Sequence, residues 1–503
     1  MVLRGLIPAA GRGLRAVPKT THRPKVLLPA GGKSLLERNV ELLRDQLGIR
    51  EITVIVGYRG QQVREHLGDG SRFAVTIDYL ECRDVEAGLA RGILLARERF
   101  TEPFVTVLGD ELYLGSNHAE LATWAERGAD AVCAVMTTDD ETRIRANYSV
   151  RLDGERILAV EEKPERDLGR LLGCGTYLFS PRIFEAIAAA APSPRSGKVE
   201  LTDVIGGLAG PDGRVLAFPL AGTYLNVNTA DDHHLAQFLV RSARMAEAKI
   251  SVVIPAYNEE ASIASTVRDF RPWVDEVLVV DNRSADATAR RAEEAGARVE
   301  RVELHGYGDT LRWGLGAARG DVLVLAEADG SFRAKDLGKL LEYLKDADLV
   351  VGSRTTRELA EHGTNMHGLV RWANVAVAKL VEAMWWRQEP RFTDVGCTYR
   401  ALWRETWREI SPLLAGTGPE LSPEMMIAPL LIGRRVIEIP VAYHRRLGGE
   451  SKHSKGWRGL ARTALRMLAT IFRLRLFGAP VASPPPRRRL GFGTAGSSAR
   501  ARP

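Results

Sequence analysis

Short, nearly unbroken apolar runs that end in polar loops recur along this chain in two matching series. In the first half, Gly5-Leu-Ile-Pro-Ala-Ala-Gly-Arg-Gly13 carries an apolar run into a glycine loop. Ile52 to Gly57 forms a second run, and Phe104-Val-Thr-Val-Leu-Gly-Asp110 a third that ends in acid. In the second half the counterparts are Ser251-Val-Val-Ile-Pro-Ala-Tyr-Asn-Glu259, Val277 to Asp281, and Val322-Leu-Val-Leu-Ala-Glu-Ala-Asp329. Runs this short, rich in Val and Ile and bounded by Gly, Asn or Asp, predict strands buried on both faces. Strand, loop and helix then follow one another three times in each half. The series predicts an α/β chain of two tandem doubly wound Rossmann-like domains, each a mostly parallel central sheet flanked by helices. Such sheets bind ligands beyond the carboxyl ends of their strands, where both series place their acids.

The length of 503 residues agrees with two domains, since single cores stop growing at roughly 250–300 residues. The repeat places the division at 1–246 and 247–478, with 479–503 as a disordered Pro/Arg-rich tail. Residues 230–248 read as a helix carried directly into the next strand, without a Pro- or Gly-rich linker. The four cysteines, Cys82, Cys133, Cys174 and Cys397, lie far apart with no Cys-x-x-Cys pair, against a disulfide framework or a zinc site. The amino terminus turns polar before a signal-peptide apolar region can form, and no stretch approaches the ~20 apolar residues of a membrane span. A reducing, cytoplasmic setting is expected.

The net charge of +7 is modest, and its placement matters more than its size. Between Trp457 and Phe477, Leu460, Ala464, Leu468, Ile471 and Leu474 fall near one helical stripe, among Arg458, Arg462, Arg466, Arg473 and Arg475. A basic amphipathic helix of this kind can lie on an anionic membrane face; it can equally pack on its own domain with a solvated basic edge. The stretch 369–386 is also apolar at helical spacing and ends in aromatics, so a location peripheral to the inner face of the cell membrane stays open. Nucleic-acid binding is not expected, because the basic residues form no surface with aromatic stacking positions. The oligomeric state is left open.

In the first half, Ala10, Gly11 and Gly13 offer main-chain N–H groups to a phosphate, since glycine lets an anion approach the backbone. Arg15 and Lys25 flank that loop. Two cations beside a phosphate loop suit attack by one phosphate on another, where repulsion between anions is the main obstacle. These residues, with Gly109-Asp110, Glu162-Lys-Pro164, Gly175-Thr-Tyr-Leu-Phe179 and Asn226-Val-Asn-Thr229, resemble the sugar nucleotidyltransferases, or NDP-sugar pyrophosphorylases, over about residues 3–240. The resemblance implies catalytic Arg15, Lys25 and Asp110, with Asp110 also holding Mg2+ or Mn2+. It implies that Lys163 and Glu162 contact the sugar phosphate, and that Gly88, in Glu86-Ala-Gly88, belongs to the nucleotide side. Asn226 stands where that family carries a second metal-binding aspartate and is a weaker ligand for a hard cation. Leu14 replaces a threonine common before the arginine.

In the second half, Asp281 ends a strand where its carboxylate can accept hydrogen bonds from a nucleobase, and Tyr257 offers a stacking face. Glu327 and Asp329 sit at i and i+2 after a third strand, where they can hold a divalent ion bridging a diphosphate. With Val350-Val-Gly-Ser-Arg354, Thr393-Asp-Val-Gly-Cys-Thr-Tyr-Arg400, Leu421-Ser-Pro-Glu424 and Leu447-Gly-Gly-Glu-Ser-Lys452, these residues resemble the family 2 glycosyltransferases of GT-A type, over about 250–477. The branch most similar is the dolichol- and polyprenyl-phosphate mannosyltransferases. That resemblance implies a nucleoside held by Pro255, Tyr257, Glu259 and Asp281, with Mg2+ or Mn2+ on Asp329 and Glu327. It further implies phosphates on Arg354, Arg400, Arg445 and Lys452, inversion at the anomeric centre, and catalytic roles for Asp329 and Asp394, the latter on the acceptor side as an orienter or metal contact. As a plain structural residue, Asp394 would instead be a cap or an ion-pair partner of Arg400.

The expected protein is therefore a bifunctional enzyme. Its first half would join a nucleoside triphosphate to a sugar 1-phosphate. Its second would pass the sugar from the nucleotide-sugar to an acceptor, a polyprenyl phosphate lipid by resemblance. Two alternatives stand beside this: a phospho-alcohol cytidylyltransferase fused to a transferase for a soluble or polymer acceptor, or one half acting as a non-catalytic binding module.

Overall fold

The computed structural model describes residues 2–17, 19–165, 169–362, 364, 368–447 and 456–478. The expected tail at 479–503 and the expected phosphate ligand Lys452 lie outside them. The chain divides into two compact units, Met1–Ala243 and Arg244–Pro503. The helix Ala230–Met245 spans the division, and the strand Ile250–Ala256 follows it.

The first unit is built on a nine-stranded sheet. One half of it is parallel, in the order Thr76–Glu81, Glu51–Val56, Arg4–Ala9, Phe104–Val107. The three inner runs read as nearly continuous apolar segments because both of their faces are covered, and Leu6, Ile7, Val54 and Val105 are fully buried, whereas the edge strand Thr76–Glu81 leaves Thr76, Asp78 and Glu81 exposed. The strand Leu171–Phe179 then pairs antiparallel with Phe104–Val107 and with Ala131–Thr137. Beyond it, Val215–Pro219 runs parallel to Ala131–Thr137, and Arg156–Glu162 and Tyr148–Asp153 close the edge antiparallel. This sheet is therefore mixed, against the mostly parallel expectation: the repeat predicted only its parallel half. A separate ribbon pairs Thr223–Asn226 with Glu111–Leu114 and sets Asn226 opposite Glu111.

The second unit carries a seven-stranded sheet in the order Arg298–Val302, Glu276–Asn282, Ile250–Ala256, Val322–Leu325, Arg400–Trp403, Leu349–Ser353, Val436–Pro440. The first four strands are parallel, and only Arg400–Trp403 runs against its neighbours. Its core includes Val252, Val253, Ile254 and the whole run Val322–Leu325.

The helix Gly456–Phe477 is not simply a free amphipathic surface. Ile471 and Leu474 are buried in the core of the second unit, and Arg473 reaches the buried Glu424 of the helix Leu421–Leu431 at 2.5 Å. Another set of apolar side chains, Leu465, Phe472, Leu476 and Phe477, stays exposed on this helix. Exposed Trp372, on the helix Gly368–Met384, and Trp386 just beyond it each lie against an arginine, Arg371 and Arg387. Among the described residues no helix is long and apolar enough to cross a membrane.

In the strand Leu171–Phe179 the tightest point is Gly173, where a Cβ would fall within van der Waals overlap of the buried Tyr148 ring. Gly173→Ala should destabilise the first unit by about 1–3 kcal/mol through overpacking, read as a lower urea midpoint for its unfolding.

Candidate active sites

At the end of the strand Arg4–Ala9 the chain enters the loop of Ala10, Gly11 and Gly13. Nothing approaches within 4 Å of the position a Cβ would take at Gly11, so the backbone there is open to a ligand. Gly13 has φ 63°, and a Cβ would come 2.8 Å from the Lys25 Cβ; glycine allows both the turn and the passage of Lys25. Arg15 sits on the short turn Leu14–Ala16, and Lys25 opens another, Lys25–Leu27. Lys25 Nζ forms an ion pair with Asp110 and donates to Asn228 Oδ1 at 3.2 Å; Arg15 Nη2 donates to the same oxygen at 2.8 Å. Arg15, Lys25 and Asp110 thus come together beyond the strand ends, around an amide that carried no assigned role in the sequence. Gly88, with φ 96°, precedes the helix Leu89–Leu94 and packs against Lys198.

A cleft of about 150 Å3 joins Arg15 to Glu162, Lys163, Asn226, Asn228 and Glu111. Lys163 holds a left-handed conformation, φ 46°, and its main-chain N–H donates to Asn147 O at 2.7 Å. Burial pushes the Glu162 carboxyl up. Asn226 donates through Nδ2 to Asn147 Oδ1 at 3.0 Å, and its Oδ1 has no hydrogen-bond partner. Glu111 is a fully buried acid held well above the usual carboxylate range by burial and by Asp110. Its place directly after Asp110 was the available signal for it. Asn228 was legible only as the i+2 neighbour of Asn226.

In the second unit, a cleft of about 550 Å3 is lined by Pro255, Tyr257, Glu259, Glu327, Asp329 and Arg446, among others. Tyr257 is 47% exposed, and Glu259 Oε2 accepts from Ser262 Oγ at 3.2 Å. Asp281 ends the strand Glu276–Asn282, nearly buried, with an Oδ1 that has no hydrogen-bond partner. Glu327 accepts from Thr398 Oγ1 at 2.5 Å; burial, then the adjacent Asp329, push its carboxyl up to about 7. Asp329 accepts from Ser331 N, and Arg446 Nε lies 2.8 Å from its Oδ2.

Residues 4–234 match the nucleotidyl transferase family, and residues 251–400 match glycosyl transferase family 2. A UTP–glucose-1-phosphate uridylyltransferase of Haloferax volcanii is 30% identical over 235 residues, 47% of this chain and 95% of that protein. An undecaprenyl-phosphate mannosyltransferase of Micrococcus luteus is 33% identical over 224 residues, 41% of this chain and 88% of that protein. The chain belongs to both families, one in each half. A solved UDP-glucose pyrophosphorylase complexed with UDP-glucose matches with a TM-score of 0.44 at 23% identity, covering 48% of this chain and 100% of that one. The protein is a two-domain enzyme, a nucleotidyltransferase followed by a family 2 glycosyltransferase.

Within the glycosyltransferase half, three assignments change. Arg400 does not reach for a phosphate: it is 1% exposed, and its guanidinium donates to the carbonyls of Cys397, Val395 and Ser422 and to Ser422 Oγ. The Arg445 side chain donates to His362 O and its main-chain N–H donates to Glu361 Oε2 at 2.8 Å, on the surface; among the described residues its neighbour Arg446 pairs with the acids Asp329 and Glu327. Asp394 is fully buried and pairs with Arg354, not with Arg400, at 2.8 and 2.9 Å, and it also accepts from Asn374 and Gly396. It orients Arg354 and has no free edge for chemistry. Arg354 lines a smaller cleft of about 220 Å3 with Arg357, Arg371 and Trp372. A cation set into the apolar run 369–386 was the signal for Arg371. Arg446 gave none beyond its pairing with Arg445.

Replacing Arg400 with Met should strand buried carbonyls and cost about 3 kcal/mol of stability, measured by denaturant unfolding. Arg446→Gln takes the cation from the nearly buried Asp329 and should lower the melting temperature by a few degrees; assayed below that midpoint, it should lower glycosyl transfer by about 100-fold.

Proposed function

We propose that the first half condenses a nucleoside triphosphate with a sugar 1-phosphate and that the second moves the sugar onto a polyprenyl phosphate at a membrane surface. The observation that carries this reading is the meeting of Arg15, Lys25 and Asp110 beyond the strand ends, beside the cleft of Glu162 and Lys163. In the first reaction a sugar-phosphate oxygen attacks the α-phosphorus and pyrophosphate leaves. Arg15 and Lys25 offset the charge that gathers on the triphosphate, and Lys163 holds the sugar phosphate. In the second, an acceptor phosphate oxygen attacks the anomeric carbon with inversion, and the bond to the nucleotide's β-phosphate breaks. A phosphate acceptor is already anionic, so positioning and cations matter more than a base, in keeping with the buried, fully engaged Asp394.

A divalent ion fits both sites by donor chemistry. Glu327 and Asp329 are adjacent acids whose repulsion such an ion would relieve, and in the first unit Asp110 and the unpartnered oxygen of Asn226 are hard donors. Mg2+ or Mn2+ there would neutralise phosphate charge. Each half reads as a GT-A-type doubly wound domain, supported by its four parallel strands and acids at their carboxyl ends. Peripheral binding to the inner face of the cell membrane is supported by exposed Trp372, Trp386, Leu465 and Phe472 set among arginines. Fusion of the halves would raise the local concentration of the nucleotide-sugar.

Incubating the chain with each triphosphate and a panel of sugar 1-phosphates, read by mass spectrometry, should yield a nucleotide-sugar. Its labelled sugar should then pass into organic solvent when polyprenyl phosphate is added. Lys25→Ala should cut pyrophosphate release by about 1000-fold and spare transfer from supplied nucleotide-sugar, and Asp329→Asn should do the reverse. Pyrophosphate release unchanged in Lys25→Ala would refute the first assignment.

A further inference from the structure

The amide of Asn228 has an unusual load. Its single Oδ1 accepts from Arg15 Nη2 at 2.8 Å and from Lys25 Nζ at 3.2 Å, so two cations that repel each other share one neutral oxygen. A carbonyl oxygen has two lone pairs and can take both donors. Arg15 is otherwise an exposed, many-rotamer side chain on a one-turn segment, whereas Lys25 is also held by Asp110.

Asn228 is itself held rigidly. Asp232 Oδ2 accepts from the main-chain N–H groups of Asn228 at 2.9 Å and Thr229 at 2.8 Å, while Asp232 N donates back to Thr229 Oγ1 at 3.1 Å. One residue further along the helix Ala230–Met245, buried His233 ties the same helix to the segment carrying Lys25. Its Nε2 donates to Pro29 O at 2.7 Å and its Nδ1 accepts from Lys19 Nζ at 2.9 Å. The carbonyl can only accept and the ammonium can only donate, which together fix the ring as the neutral Nε2–H form. Lys19 and Pro29 bracket Lys25 in sequence, so Asn228 is referenced to the loop it organises.

We propose that Asn228 is a positioning residue of the triphosphate site, holding Arg15 and Lys25 side by side and releasing them to the incoming phosphates. The choice of amide over carboxylate follows from charge. A neutral acceptor orders both side chains and leaves their positive charge available. An aspartate of the same shape would bind them as ion pairs and compete with the triphosphate. This inference rests on the nucleotidyl-transfer reading of the first half.

The test is binding of inorganic tripolyphosphate to the full chain by calorimetry in the presence of a chelator, which isolates the cations from any metal, together with pyrophosphate-release kinetics. Asn228→Ala should weaken tripolyphosphate about tenfold, and Asn228→Asp about a hundredfold. Both should raise the KM for the triphosphate while the KM for the sugar 1-phosphate stays within about twofold. Unchanged melting temperature and unchanged glycosyl transfer by the second half control for folding, and the isosteric Asn228→Asp carries the test if the alanine variant does not fold. Wild-type affinity in both variants overturns the proposal. So does a loss seen only in Mn2+ titrations, which would make Asn228 a metal ligand. A wild-type chain that releases no pyrophosphate with any triphosphate fails the functional reading itself; an active wild type matched by both variants fails only the role of Asn228.

Discussion

A carboxylate at the mouth of a buried parallel sheet must be met by positive charge, and each half of this chain brings that charge from far away in sequence. Lys25 meets Asp110 and Arg446 meets Asp329. Burial in a low dielectric disfavours a lone anion, and a second acid nearby makes it worse, as the raised carboxyls of Glu111 and Glu327 record. The fold answers by threading loops so that basic side chains arrive at the strand ends. Each cleft thereby carries basic side chains beside its acids.

The glycosyltransferase half divides its arginines between two duties that look alike in sequence. Arg400 is consumed by main-chain carbonyls in the core and serves as a brace at the start of the one strand that runs against its neighbours. Arg354 is locked by Asp394 into a fixed orientation and still borders a cleft with Arg357 and Arg371. A fork of five donors can satisfy several carbonyls or present a flat edge to a phosphate, and only its surroundings select between these. The helix Gly456–Phe477 makes a similar division. Its buried residues Ile471 and Leu474 anchor it to the core, while Thr463 and Met467 border the large cleft and Leu465, Phe472 and Leu476 face outward. One helix therefore links the cleft wall to an exposed apolar surface flanked by arginines.

Much of this was legible in the order of residues. Runs such as Val322–Leu325 are buried on both faces, and a strand with no polar side to show must lie inside a covered sheet. Glycine at position 13 and acids at positions 110 and 329 belong to local turns and strand ends, where neighbouring residues decide the geometry. The antiparallel half of the first sheet was not legible, since the strand Leu171–Phe179 owes its direction to two partners that both lie tens of residues earlier in the chain.

Local sequence by itself determined the strands, the glycine loop and the acids at the sheet edges, because backbone conformation and burial there follow from adjacent residues. Tertiary structure alone decided which polar groups meet. That Arg446 and not Arg445 reaches Asp329, that Asp394 serves Arg354, and that Asn228 gathers Arg15 and Lys25 depend on side chains separated by as many as 213 positions. Hydrogen bonds and ion pairs act over a few ångströms, and nothing in linear order reports which distant groups the fold will bring within that reach.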